Sequence, residues 1–503
     1  MRHLTPLASV GLALCLAAAA EAKELWEYPW LEARSEHFIV QSALDEDKTR
    51  ELIVSLEHFR EVVPGLTSIR RFDERIPTKI YVLPKAMPAL GFKQGAVGWF
   101  LPGMRANYAM LLPQGKKTDE VLKHEYLHFL LRNQGAQLFP PWLDDGFAEL
   151  LSTLTVSPDG TSFEYGNSLE WRASSLNNSA WLPFRAIIES RNQREFGRDR
   201  MHMFYAQSWF LVHYLMIGRP GANSVAHITE YLKLTEAGTP PAEAFERAFG
   251  LKVSALARTL VSYARKAQYW TTTLHTPLTP ANVTIKPAEP DAVTAGIALT
   301  ALIRGERKTA RELFGAALAL NPNNALALVG MDDIARDESR WDEAVSGYER
   351  AIALEPNEAN HELDYGEYFL FRAVREKEAA KRAAFITEAR RHFFRSYKLN
   401  PDNPETLHQN GYTYLLEDSD PQKAVDSLEI AHQLLPSQKT IQQHLAQAYV
   451  AAKQPAKARP ILQRLIAWSH LESDDDLGKL LAEVETQLAG DSARGKPPAP
   501  ASE

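Results

Sequence analysis

Val121-Leu122-Lys123-His124-Glu125-Tyr126-Leu127-His128-Phe129-Leu130 sets two histidines four residues apart in a stretch that reads as a helix. Val121, Leu122, Phe129 and Leu130 give that helix apolar faces, and Asp119 stands where an N-cap is expected. On a helix, positions i and i+4 share one face. Both imidazoles can therefore reach a single tetrahedral zinc ion. Glu125, next to the first histidine, is placed to take a proton from an attacking water.

Upstream, the chain alternates like a mixed α/β unit. Residues 37–42 and 78–83 read as strands, and 45–62 as an amphipathic helix. Residues 107–112 read as another strand, either an ordinary core strand or an edge that holds an extended peptide by backbone pairing. From Asp119 to about Lys266 the pattern is mainly helical, with a hairpin over 155–166 turning at Pro158-Asp159-Gly160. Residues 272–290 are rich in Thr and Pro and read as a linker.

Beyond the linker lies a repeat. Small residues recur at Ala310, Ala344, Ala389, Ala424 and Ala458, in steps of 34, 45, 35 and 34. Four positions later come Phe314, Tyr348, Phe393, Leu428 and Leu462, and then Pro322, Pro356, Pro401 and Pro436. A 34-residue period of this kind is the tetratricopeptide signature. The alanines permit close helix approach, the large residues fill the gap, and proline ends the second helix of each unit. The longer step places about eleven extra residues near 375–385, as a longer helix pair. The mixed charges of 375–391 read as a solvated helix face.

The chain has 503 residues, 45% hydrophobic and 24% charged, enough for several globular units. Its formal charge of −7 argues against nucleic-acid binding, which favours a basic excess. Arg2 and His3, the apolar run from Leu7 to Ala20 and the small-x-small site Ala20-Glu21-Ala22 read as a signal peptide. Export, most simply to the periplasm, is the expectation, with no transmembrane segment in the mature chain. The one cysteine, Cys15, lies inside that signal, so any metal ligands of the mature chain are His and carboxylate.

Pro140-Pro141-Trp142-Leu143-Asp144-Asp145-Gly146-Phe147-Ala148-Glu149 follows the histidine helix closely. HExxH followed by a W-L-x-E-G-x-A segment resembles the gluzincin metallopeptidases. The chain looks most like the bacterial peptidase-MA-like proteins that carry attached tetratricopeptide repeats, over roughly residues 35–270. The resemblance implies an α+β zincin-like metallopeptidase domain, here followed by an all-α tetratricopeptide-repeat solenoid. The implied division is a signal peptide at 1–22, the metallopeptidase domain at 23–271 and the linker at 272–290. Repeats follow at 291–489, with a disordered tail at 490–503.

The resemblance makes the acidic residue of the second motif the third zinc ligand, and here that position holds Asp145 instead of the family's Glu. Glu149, one turn on, shares its face. In one reading Asp145 binds zinc and Glu149 hydrogen-bonds the distal nitrogen of a histidine; in the other Glu149 reaches the metal. Asp144 and Asp145 also suit a helix start. By the same family analogy Tyr205 donates to the oxyanion, although Tyr205 and Trp209 also fit a core stripe. His202 and His213 read as packing or surface residues.

Two functions fit these residues. The first is an exported zinc-dependent hydrolase that cleaves a polypeptide substrate, with Glu125 as the base and a protein partner on the repeats. The second is a catalytically inactive zinc-binding scaffold acting through its repeats. The Asp145 departure favours it, and the intact Glu125 opposes it.

Overall fold

A computed structural model describes residues 24–67, 69, 76–90, 92, 97–133, 139–219, 224–266, 271–417, 419–468 and 475–494. The signal-peptide segment 1–22 and most of the proposed tail lie outside them.

The first half is built from β1 (Leu31–Arg34), β2 (Phe38–Ser42), α1 (Glu46–Leu66), β3 (Thr78–Val82), β4 (Gly98–Leu101), β5 (Asn107–Leu111), α2 (Lys116–Arg132) and α3 (Pro141–Leu151). The β6 (Thr155–Val156) and β7 (Phe163–Tyr165) hairpin follows. Then come α4 (Glu170–Asn178), α5 (Phe184–Glu189), α6 (Gly197–Met216), α7 (Ser224–Glu236), α8 (Pro241–Phe249) and α9 (Leu256–Lys266). The strands β8 (Thr272–Leu274) and β9 (Thr284–Pro287) end this half. The main sheet has the order β4-β5-β3-β2-β1-β9, parallel across β2, β3 and β5 and antiparallel at both sides.

Alternation along the strands gives the sheet two apolar faces. Phe38, Val40, Ile80, Val82, Ala109 and Leu111 pack against α1 and α2. Tyr81, Tyr108 and Met110 point the other way, onto Val293, Ala298 and Phe314 of the first repeat helices. The sheet is therefore a middle layer whose back is covered by the beginning of the solenoid. Gly296 makes that seat possible, because a Cβ there would run into the Tyr81 ring and hydroxyl.

The stretch read as a linker is part of the fold. β8 pairs with β7, and β9 pairs with β1 to close one side of the sheet. Pro287 is tolerated because β9 is an edge strand. Of the two readings of residues 107–112, the structure takes the core strand. β5 lies inside the sheet between β3 and β4, fully buried, and the free edge on that side is β4. Its short sequence, Gly98-Trp99-Phe100-Leu101, offers little alternation to read.

The solenoid runs through α10 (Pro290–Ile303), α11 (Arg307–Leu320), α12 (Ala325–Asp337), α13 (Ser346–Leu354), α14 (Ala359–Arg375) and α15 (Ala379–Leu399). It continues through α16 (Pro404–Glu417), α17 (Pro421–Leu434), α18 (Lys439–Ala451), α19 (Pro455–Trp468) and α20 (Asp475–Arg494). The repeat alanines and the large residues four positions on are all fully buried. Each recurrent proline stands two residues past a helix end, as at Leu320 and Pro322. The extra residues of the long step extend the α14–α15 pair. α20 continues to Arg494, so the first residues assigned to the disordered tail are helical. No helix among the described residues is long and apolar enough to cross a membrane.

The solenoid also touches the first half at its far end. Leu407, Ala431, Leu435 and Ile441 join the core cluster that contains α2 and α3. The Ser437 hydroxyl donates to Asn133 Oδ1 at 2.7 Å, just past the end of α2.

Candidate metal centre

α2 begins at Lys116, three residues before the expected cap. Gly115 precedes it with φ +58°, a conformation that L side chains seldom adopt. Asp119 instead sits in the first turn and accepts from Lys123 Nζ at 2.6 Å and from the Ser55 hydroxyl at 3.1 Å. Lys123 is buried and also donates to the Leu154 carbonyl at 2.7 Å. These bonds fix the face of α2 opposite the histidines.

α3 starts with proline at its first positions, where no backbone donor is needed. Trp142, fully buried against Tyr231 and Phe245, anchors it. Gly146 lets α3 cross α6 closely: a Cβ would stand 2.5 Å from Val212 Cγ2 and 2.7 Å from the Ser208 carbonyl oxygen. Gly146→Ala is therefore expected to destabilise the fold by about 1–3 kcal/mol through overpacking. Thermal unfolding followed by circular dichroism measures it. An unchanged melting temperature would contradict so close a crossing.

With α2 and α3 held in this way, three side chains meet. His124 Nε2 and His128 Nε2 are 3.2 Å apart, and His128 Nε2 lies 3.5 Å from Asp145 Oδ1. His124, His128 and Asp145 each offer a ligand atom within 4.8 Å of the others. Bonds of about 2.0–2.1 Å to a tetrahedral zinc put ligand atoms about 3.3 Å apart. Both shorter separations sit near that edge length, so the donor set fits zinc.

The environment shifts the two imidazoles in opposite directions. Burial, then the charge of His128, pulls the His124 pKa down to about 3, which leaves a neutral ring. Burial works to lower the His128 pKa, but the Asp144 carboxylate outweighs it and raises it. His128 Nδ1 donates to Asp144 Oδ1 at 3.0 Å, which turns Nε2 toward Asp145. Asp144 Oδ2 in turn accepts from Arg132 Nε at 3.0 Å and Nη2 at 2.8 Å. Burial acts to raise the Asp144 pKa, yet His128 and Arg132 overcome it and hold the carboxyl below the usual range. Asp145 is raised, first by burial and then by the neighbouring Asp144 and Glu149 charges, which outweigh His128.

Asp144 is thus the residue that the sequence reading missed as a partner of histidine. The signal was present: Arg132 continues the His124–His128 face by one more turn, and α3 brings a carboxylate to it. Asp144→Asn is expected to weaken zinc binding by about 10–100-fold, since the ring orientation is lost. A competitive chelator titration checks this; equal affinity would place the control of His128 elsewhere.

Glu149 does not take that helper role. Its Oε1 lies 3.8 Å from His124 Nδ1, beyond hydrogen-bond range, and it pairs with Arg172 Nη2 from α4. The Arg172 guanidinium also lies 4.9 Å over the Tyr205 ring on α6. Tyr205 is half-buried, and burial, then the Asp145 charge, raises its pKa. Its hydroxyl faces Met201 Sδ at 3.8 Å. Glu125 is partly exposed and has no hydrogen-bond or ion-pair partner among the described residues. His213 is a buried packing residue bonded to the Gly166 carbonyl and the Tyr263 hydroxyl, and His202 is exposed.

Residues 415–483 match the tetratricopeptide repeat family model. No curated protein matches the chain. Among solved structures, a thermophilic TPR protein of Thermus thermophilus is similar at 18% identity, over 39% of this chain and 99% of that one, with TM-score 0.33. PilW, a widely conserved type IV pilus biogenesis factor, is similar at 16% identity, over 42% and 96%, with TM-score 0.33. YrrB, a TPR protein with an unusual peptide-binding site, is similar at 15% identity, over 39% and 91%, with TM-score 0.28.

Proposed function

We propose that the chain is an exported zinc-dependent peptidase with a zincin-like first half, and that its tetratricopeptide solenoid binds protein. One observation carries the reading: His124, His128 and Asp145 converge beside a carboxylate, Glu125, whose charge acts on His124 and which has no hydrogen bond or ion pair among the described residues. His124, His128 and Asp145 would hold the zinc. When bound, zinc supplies Lewis acidity, which lowers the pKa of a water and polarises a carbonyl. Glu125 takes the proton of the attacking water and returns it to the leaving amine.

Tyr205 donates its hydroxyl to the oxyanion. Arg172, bonded to Glu149 and stacked on the Tyr205 ring, positions that tyrosine. The free edge of β4 runs beside α2, with Phe100 against Tyr126 and Phe129, and is available to pair with an extended polypeptide. Export to the periplasm rests on the signal-like pattern of residues 1–22. The test is metal content of the purified chain, together with hydrolysis of an unbiased peptide library. A protein that holds no zinc after zinc loading would overturn both the enzyme and the zinc-scaffold readings.

A further inference from the structure

Arg105 lies in the loop between β4 and β5, and its guanidinium is inserted into the solenoid. It bonds Asp364 and Glu405, and Nη2 donates to Glu367 Oε2 at 2.9 Å. Asp364 and Glu367 stand on α14 and Glu405 on α16. Asp333 on α12 extends the group, with Arg336 Nη1 at 2.7 Å from it. The first helices of two consecutive repeats thus turn carboxylates onto Arg105, and the helix before them adds Asp333, held by Arg336. Asp333, Asp364, Glu367 and Glu405 set four carboxylates against two guanidinium groups, Arg105 and Arg336. Burial, then the Glu367 charge, outweighs Arg105 and keeps Asp364 and Glu405 above the usual carboxylate range.

Beside Arg105 a cavity of about 430 Å³ opens between the end of the sheet and the repeats. Its lining carries five carboxylates, Asp333, Glu355, Glu358, Asp364 and Asp402, against two cations, Lys79 and Arg105. His361, 4% exposed, also lines it. His361 Nε2 is 2.9 Å from Glu355 Oε2 and so donates to it, while Nδ1 is buried with no hydrogen-bond partner. A neutral imidazole in that tautomer presents Nδ1 as an acceptor without a donor. Glu355 and Glu358 stand exposed at the mouth. The cavity therefore has spare acceptors, spare negative charge and an open entrance, and a volume within the range of ligand sites.

The geometry points to a binding site for an arginine-bearing segment of a partner protein, seated in this cavity next to Arg105. Arg105 fills one part of the carboxylate cluster from within the chain, and a second guanidinium supplies a donor to His361 Nδ1, which has none, and positive charge to the exposed Glu355 and Glu358 at the mouth. Guanidinium suits such a site better than ammonium, because its planar fork gives paired donors to carboxylates. The inference rests on the protein-binding role proposed for the solenoid and names the partner's chemistry; zinc chemistry does not enter.

The experiment is calorimetric titration of the full-length Glu125→Gln chain, which removes the proposed base, with an end-blocked pentapeptide holding two arginines. The same peptide with citrulline replacing arginine keeps the shape and removes the charge. The arginine peptide is expected to bind, and the citrulline peptide to bind at least about tenfold more weakly. The Glu355→Gln, Glu358→Gln double variant, altered only at exposed positions, is expected to weaken the arginine peptide by a similar factor. Equal binding of both peptides would overturn charge recognition while leaving a peptide-binding solenoid. Binding that ignores the double variant would move the site elsewhere. No heat up to about 1 mM peptide would end the proposal.

Discussion

Glu125→Gln is expected to lower peptide hydrolysis by about 10²–10⁴-fold while leaving zinc content unchanged. The substitution keeps the size of the side chain and one carbonyl oxygen. It removes the carboxylate proposed to accept the proton in one step and to give it back in the next. Glu125 has no hydrogen bond or ion pair among the described residues, so the fold loses no partner. His124, His128 and Asp145, the proposed zinc ligands, are untouched, which separates catalysis from binding. Library cleavage by wild type and variant, with metal analysis of both, reads the result. Equal turnover by the two would reject Glu125 as the base. Bound zinc with no cleavage by either would leave the inactive zinc-binding scaffold.

The second large effect is a ranking. Asp145→Ala should abolish tight zinc binding, because it leaves two imidazoles where three ligands are needed for a catalytic site. Glu149→Ala should cost less than the roughly 10–100-fold expected at Asp144, since Glu149 lies 3.8 Å from His124 Nδ1 and is engaged by Arg172 instead. The reverse order would give Glu149 the ligand role that the second sequence reading allowed. Affinity should also climb with pH in the wild type. The raised pKa values of His128 and Asp145 mean that protons must leave both before a metal can take their place. Titrations at about pH 6 and about pH 7.5 expose that dependence.

What could be read in advance followed from periodicity and spacing. The four-residue step from His124 to His128, the strands at β2, β3 and β5, and the repeat alanines each depend on a local period that a sequence displays directly. The misses involve relations across the fold. β9 lies in a proline-rich stretch because an edge strand needs only one bonded side, so its composition resembles a loop. β4 is too short for alternation to be visible. Asp144 and Asp145 are neighbours in sequence, yet one orients His128 and the other faces both imidazoles. Only the crossing angle of α3 on α2 decides between them. Arg105 and its carboxylates are separated by about 260 to 300 residues, and no local pattern links them.

Because the opening hairpin of the solenoid roofs the rear of the sheet, the two halves are not interchangeable cassettes. Repeats can be gained or lost near α20, where each new unit needs only its predecessor. The front hairpin is different, since Gly296 and Tyr81 are shaped to each other and a swapped unit would bring a side chain into that seat. Sequence change is therefore expected to be tolerated best at α20, beyond the α16–α18 face that joins the first-half core, and least at α10 and α11, which are matched to the strands beneath them.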